Sequence, residues 1–272
     1  MNTLSDKLAK LEIMLRSYES VVIGFSGGVD STFLAAAAYK ILGEKALAVT
    51  AYSATLPQSE KTAAIAVAKE IGIRHELLPI DELASPDFRE NDADRCYHCK
   101  TLRFSALVSW ARQHEFQWVL EGSNQDDLGD YRPGIQAVSE LDQVASPLLE
   151  AGFTKKEIRQ LSKKWGLATW NKPSAACLSS RVAYGEAITE EKLGQIEQAE
   201  EYIRKFCSGS VRVRHHGQVA RIEVQAEWIP SLCQDKVREQ IVVEFRRLGF
   251  TFITIDLNGY QTGSMNALLQ QN

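Results

Sequence analysis

The segment 21–32, VVIGFSGGVDST, constrains the fold more than any other stretch of this chain. The run Val21, Val22, Ile23 ends at Phe25 and breaks into Ser26-Gly27-Gly28, and an alanine-rich stretch from about Ser31 to Leu42 follows. A short β-branched run bounded by glycine is a buried strand, and the stretch after it has helix-forming composition. A strand that feeds a helix through paired glycines belongs to a parallel sheet, because the helix must carry the chain back before the next strand starts.

The alternation continues. ALAVTAY (46–52) reads as a second strand, SEKTAAIAVAKEIG (59–72) as a helix closed by Gly72, and RHELLPI (74–80) as a third strand. TLRFSALVSWARQHE (101–115) is a further helix and QWVLEG (117–122) a fourth strand. Ahead of them, Leu4, Leu8, Leu11, Leu15 and Tyr18 form a helical stripe over residues 3–19. The expected fold class is α/β, a parallel sheet covered on both faces. Residues 81–95 and 123–150 read as loops, and Thr154 with Glu157 makes a capping box that opens a helix over 154–166. After the irregular NKPSAACLSSRVAYGE (171–186) the order becomes a helix (189–207), two strands around His216-Gly217, a helix (about 233–248) and the strand TFITIDL. That is an α+β arrangement. It places a boundary near 187, with a larger domain 1–186 and a smaller one 187–272.

Composition excludes several classes. The chain has 272 residues, 44% hydrophobic and 24% charged, which is ample for real cores and unlike a disordered chain. A formal net charge of −4 gives no general basic field for nucleic acid or anionic membranes. No run approaches the roughly 18 apolar residues of a membrane span. The N-terminus mixes both charges at helical spacing and reads as a helix, not a signal peptide. Five cysteines without export signals fit a reducing, cytoplasmic setting.

The glycine turn is suited to an anion. Gly27 and Gly28 allow close backbone approach, and the helix behind them aims unpaired N–H groups and its positive end at the same spot. Ser26, Ser31 and Thr32 add hydroxyls, and Asp30 is placed to orient a metal-bound phosphate, with Mg²⁺ the expected ion. No lysine follows the glycines, so this is not a Walker loop. Gly122, at the end of the fourth strand, and Ser53, in TAYSATLP after the second, are further nucleotide-side candidates. Asp126, Asp127 and Asp130 beside Arg132 either bind Mg²⁺ and position a carboxylate substrate or form a self-paired polar loop.

Cys96-Tyr97-His98-Cys99 is a CxxC where a loop meets a helix. Taken alone it is a redox pair, half a zinc site, or two ligands of a cluster. No second CxxC completes a zinc site. Cys177, in AACLSSR, is a third thiol, and three thiols can hold a [4Fe-4S] cluster with one iron left open. Cys207 and Cys233 lie on expected helices among apolar neighbours and read as core residues.

SGGVDST resembles the PP-loop of the ATP-pyrophosphatase superfamily, with its adenine nucleotide alpha hydrolase-like fold. The resemblance implies that ATP is split between its α and β phosphates and that a substrate group becomes adenylated. With CYHCK, EGSNQDDLGDYRPG, WNKPSAACLSSRVAYG, VRVRHHGQVARIE and DLNGYQTGSMN, the chain resembles over nearly its whole length the LarE family of ATP-dependent sulfur transferases, which act in nickel-pincer nucleotide cofactor biosynthesis. One style in that family sacrifices a cysteine that aligns with Ala176 here. The other holds a [4Fe-4S] cluster on three cysteines, matched by Cys96, Cys99 and Cys177. The resemblance further implies a phosphate-binding set of Lys100, Ser180, Arg212 and Arg214, with Arg181 beside it. It also implies an acidic residue near the donor sulfur, Glu200, on a helix face that otherwise reads as exposed. Taken alone, Arg212 and Arg214 in VRVR are two charges on one face of a strand. Gln261 and Ser231 stand where the family has an arginine and an acidic residue. The implied cofactors are ATP, Mg²⁺ and the cluster. The implied partners are a small phosphorylated carboxylate substrate and further copies of the chain, through the C-terminal domain. Two other functions fit parts of the pattern: a cluster-dependent tRNA thiolation enzyme, against which the acidic balance weighs, and a non-catalytic nucleotide or iron–sulfur sensor, against which the intact SGGVDST weighs.

Overall fold

A computed structural model describes residues 3–129, 133–261, 264 and 265. In chain order its elements are α1 (Leu4–Ser17), β1 (Val21–Gly24), α2 (Val29–Leu42), β2 (Ala46–Tyr52), α3 (Gln58–Ile71), β3 (Arg74–Pro79), α4 (Pro86–Arg89), α5 (Arg95–Gln113), β4 (Trp118–Leu120), α6 (Pro133–Ser139), β5 (Val144–Ala145), α7 (Pro147–Glu150) and α8 (Lys155–Lys164). There follow α9 (Glu190–Ile203), β6 (Val211–His216), β7 (Val219–Val224), α10 (Ile229–Leu232), α11 (Asp235–Arg247) and β8 (Phe252–Ile255). The chain divides into two compact units, residues 1–82 with 96–175, and residues 83–95 with 176–272. The sequence boundary near 187 falls inside the second unit. The reason is side-chain anchoring: buried Asn91 donates to the carbonyls of Ala183 (2.7 Å) and Glu186 (3.0 Å), so the excursion 83–95 and the segment after 176 pack as one body.

The first unit is a five-stranded parallel sheet of order β3-β2-β1-β4-β5. β1 is central, with Val21 level with Ala46 on one side and Trp118 on the other. Alternate residues enter opposite layers, as a period of two requires. Val21 and Ile23 join Leu11, Leu15, Phe33, Phe153 and Ile158, whereas Val22 joins Leu47, Val49, Phe104 and Leu107. α2 is buried over most of its surface, and its alanines let it lie close to the sheet beneath its neighbours. Residues 123–150, read as a loop, contain α6, the two-residue β5 and α7. β5 is too short to carry a periodicity; Val119 N–H reaches the Gln143 carbonyl at 2.8 Å and Glu121 N–H the Ala145 carbonyl at 2.9 Å, which joins it to β4.

The second unit has a three-stranded sheet of order β6-β7-β8, with β6 and β7 antiparallel and β7 and β8 parallel. Gly217, at φ +59°, turns the hairpin in a conformation that favours glycine. Ile203, Val211, Val213, Ile222 and Phe245 centre its core. Cys207 is buried there as expected, but Cys233 is exposed. α10 ends at Leu232, so Cys233 is its cap and leaves the apolar face that Leu232 fills.

Candidate functional site

The strand order reverses between β1 and β4, and in an open parallel sheet the crevice beyond the carboxyl ends of such strands is where ligands bind. A cavity of about 580 Å³ lies there, lined by Ser26, Gly28, Asp30, Ser31, Gly122 and Lys100 among others. The glycine loop forms its floor. Phe25 N–H bonds the Val49 carbonyl at 2.9 Å and Thr50 Oγ1 donates to the Phe25 carbonyl at 2.7 Å, which fixes the loop's entry. Gly27 has φ +64°, and a Cβ there would sit 2.9 Å from Ala64 Cα. Gly28 is the N-cap of α2 and offers no side chain to the first-turn N–H groups. Those donors therefore face the cavity unsatisfied by a cap, the arrangement that an anion completes. Ser26 and Ser31 hydroxyls lie 3.0 Å apart across the loop. Gly122 allows close approach: a Cβ there would come within 3.3 Å of Ser31 N, a tight contact.

Not every expected residue opens onto this cavity. Thr32 is 1% exposed, and its hydroxyl makes no hydrogen bond among the described residues. Ser53 donates to Glu82 instead of lining the cavity, and Thr50, Ala51 and Leu56 line that side. Asp30 pairs with Lys155 of α8, a residue that sequence reasoning missed because it lies far along the chain. Burial pushes the Asp30 carboxyl up, Lys155 counters it, and Asp127 adds to the rise. Asp126 and Asp127 also line the cavity. Each binds backbone: Asp126 accepts from Lys155 N, at the start of α8, at 2.9 Å, and Asp127 from the nearby Asn124 N at 2.9 Å. Asp130 and Arg132 lie outside the described residues. Magnesium takes one or two carboxylates and completes its shell with water and phosphate oxygens, so Asp30 with Asp126 or Asp127 is a chemically suitable set.

A second buried carboxylate, Glu82, was also missed. It is 0% exposed. It accepts from Arg103 Nε at 2.6 Å, Thr55 Oγ1 at 2.7 Å, Cys99 Sγ at 3.0 Å, and Ser53. Burial alone would raise this carboxyl, yet Arg103 and the Ser53 and Cys99 hydrogen bonds hold it below its ordinary range. Glu82 thus ties the segment after β2 to the first turns of α5. That helix begins at Arg95, earlier than the sequence reading, so Cys96 (exposed) and Cys99 (half-buried) stand one turn apart on it. Lys100, next on the helix, pairs with buried Glu121 at 3.2 Å.

Cys177 belongs to the second unit. Its carbonyl is held by Arg181 Nη1 at 2.6 Å and by Ser180 Oγ at 2.8 Å, and its thiol makes no hydrogen bond among the described residues. In the same unit Arg95, the residue before Cys96, donates to the Ser179 carbonyl at 3.2 Å. Arg181 is 2% exposed and meets Glu200 through Nε at 2.9 Å and Nη2 at 3.3 Å. Glu200 is not on an exposed face: it is 2% exposed, lying on the buried stripe of Ile196, Ala199 and Ile203. Burial would raise its carboxyl, but Arg181 foremost, with Arg212 and Arg204, lowers it. Arg214 pairs with buried Glu223 at 2.7 Å, and its Nη1 donates to the Ser180 carbonyl at 3.2 Å. Arg212 differs. It donates to the adjacent Val211 carbonyl and lies over the Tyr260 ring, and no ion pair is formed by it among the described residues. Burial, and then Arg181, push its guanidinium down. A desolvated cation beside two others is an anion-seeking group. Ser231 bonds its own turn through the Trp228 carbonyl, and Gln261 is exposed. Among the described residues no group of three or more His, Cys, Asp or Glu side chains is gathered as a metal site, and no helix is long and apolar enough to cross a membrane.

Known proteins resemble this chain over part or all of its length. The NAD synthase family model matches residues 2–114. An uncharacterised protein of Synechocystis sp. is 43% identical over 266 residues, covering 98% of this chain and 99% of that protein. Pyridinium-3,5-bisthiocarboxylic acid mononucleotide synthase of Lactiplantibacillus plantarum is 35% identical over 272 residues, covering 99% of this chain and 97% of the synthase. The tRNA-specific 2-thiouridylase of Rickettsia canadensis is 27% identical over 192 residues, covering 57% of this chain and 52% of that enzyme.

Proposed function

The chain belongs to the LarE family, that of the pyridinium-3,5-bisthiocarboxylic acid mononucleotide synthases, and from that membership we propose that it converts a carboxylate of a pyridinium mononucleotide into a thiocarboxylate at the expense of ATP. The observation that carries the reading is the uncapped N-terminus of α2 behind Gly27 and Gly28, facing a cavity of about 580 Å³ with Asp30 on its wall.

The chain's own groups account for the first half-reaction. A substrate carboxylate oxygen attacks the α-phosphorus of ATP, the bond to the bridging oxygen breaks, and pyrophosphate leaves. The α2 N–H groups, with Ser26 and Ser31, stabilise the charge that develops on it. Asp30 with Asp126 or Asp127 would hold Mg²⁺, which neutralises phosphate charge. In the second half-reaction a sulfur nucleophile attacks the acyl carbon, the bond to AMP breaks, and AMP carries away the electron pair. Arg212, with Arg214 and Ser180, is suited to grip the phosphate of the mononucleotide.

The sulfur source in this proposal is the three-cysteine set. Cys96, Cys99 and Cys177 are the donor chemistry of a [4Fe-4S] cluster with one iron left without a protein ligand, and when bound such a cluster supplies sulfur at the sulfide level. Ala176 stands where the sacrificial style needs a cysteine, so turnover without self-consumption is expected. The test is mass spectrometry of the mononucleotide after incubation with ATP and sulfide, paired with iron and acid-labile sulfide analysis of anaerobically purified protein and Cys177→Ala. Thiocarboxylate formation supports the reaction; about four irons per chain, lost in the variant, support the cluster. An unmodified substrate defeats the first, and absence of iron after reconstitution defeats the second.

A further inference from the structure

The glycine loop has no lysine of its own, yet an ammonium reaches its backbone from far along the chain. Lys172 Nζ donates to the Gly27 carbonyl at 3.1 Å and to Glu60 Oε2 at 2.7 Å. We propose that Lys172 is a positioning residue that fixes the Gly27–Gly28 peptide so that the loop presents N–H, and not C=O, to the leaving pyrophosphate. The inference rests on the nucleotide reading above.

Three constraints meet at this peptide. Gly27 holds φ +64°, and the backbone of α3 lies under it, with Ala64 Cα 2.9 Å from where a Cβ would stand. Glu60, in the first turn of the same helix, holds the lysine whose ammonium caps the Gly27 carbonyl. A trans peptide is planar, so its C=O and N–H point to opposite sides. With the carbonyl tied to Lys172, the Gly28 N–H points the other way, where it donates to Ser26 Oγ at 3.3 Å. That contact is longer than the usual range, and an anion oxygen would make a better acceptor. Glycine peptides rotate with little steric resistance. A flipped Gly27–Gly28 peptide would aim a carbonyl oxygen at the pyrophosphate. The charge-assisted bond from Lys172 opposes that flip, and Glu60 keeps the ammonium in place. Lys172 is not among the residues lining the cavity, so it acts through the backbone.

Isothermal titration of the full chain with inorganic pyrophosphate and, separately, with AMP tests this. Lys172→Met should weaken pyrophosphate binding about tenfold, the scale of one charge-assisted hydrogen bond, and leave AMP within about twofold. Lys172→Arg, which still donates to the carbonyl, should recover most of the loss, and Glu60→Gln should cost less than Lys172→Met. Pyrophosphate binding by Lys172→Met equal to that of the parent overturns the inference. So does a proportional loss of both ligands together with thermal stability, which marks a merely structural role. A parent protein that binds neither ligand overturns the nucleotide reading itself, so the two failures are distinguishable.

Discussion

Glu200→Gln breaks a buried ion pair of the second unit. The carboxylate accepts four hydrogen bonds: two from Arg181, one from Arg204 Nη2 at 3.1 Å and one from Val213 N at 3.2 Å. A glutamine keeps one acceptor and turns an NH₂ toward guanidinium donors. Arg181 then becomes a buried cation with no counter-charge, and breaking a buried pair from one side costs about 3–5 kcal/mol. The retained acceptor places this case near 3 kcal/mol; Arg204 adds little because it is largely exposed and screened. For a chain of this size each kcal/mol lowers the melting temperature by roughly 2–4 °C, so a fall of roughly 6–12 °C is expected. Circular dichroism melts at pH 7 read it directly. The double variant Arg181→Met with Glu200→Leu should melt above Glu200→Gln, because no lone charge remains buried. The folded Glu200 carboxyl is depressed, so its stabilisation is complete above the unfolded value near pH 4.3 and is lost as pH falls through the folded value. The deficit of Glu200→Gln should therefore shrink only in that acid range. A melt within about 2 °C of the parent, or a double variant below the single, would mean that the Arg181–Glu200 pair does not hold this unit together.

Three further outcomes are expected. Gly27→Ala should abolish nucleotide binding, since φ +64° costs an L-residue about 1–2 kcal/mol and the new Cβ meets the Ala64 backbone at 2.9 Å; equilibrium dialysis with ATP checks it, and parent-like affinity would contradict the loop geometry. Glu82→Gln should destabilise by about 3 kcal/mol through stranded Arg103 and speed alkylation of Cys99 by releasing its thiol, read by melting and by peptide mass mapping. His75, His215 and His216 are all held below their ordinary value, each chiefly by burial. Their stabilisation is complete above the unfolded value near pH 6.5 and is lost as pH falls below it towards the folded values, so melting temperature should drop as pH is lowered from about 6.5.

The glycine loop was legible in the sequence because everything that defines it is local: a β-branched strand, two glycines and a helix start within 12 residues, 21–32. Its partners were not. Lys155, Lys172 and Glu82 reach the first unit's site from separate segments, and only sheet order brings them there. Glu200 carries a local signal. It sits four residues after Ile196 and three before Ile203, on the apolar stripe, where a carboxylate must be buried and therefore paired. The pairing of 83–95 with the second unit rests on Asn91 and Arg95 side chains, which no periodicity encodes.

In the proposed reaction ATP is cleaved between its α and β phosphates to activate a carboxylate. The direct measurement is chromatography of the nucleotide products after incubation with Mg²⁺, ATP and pyridinium-3,5-dicarboxylic acid mononucleotide, with and without sulfide. AMP and pyrophosphate in equal amounts, formed only with the carboxylate present, are expected. ADP and inorganic phosphate, or cleavage indifferent to the carboxylate, would contradict it.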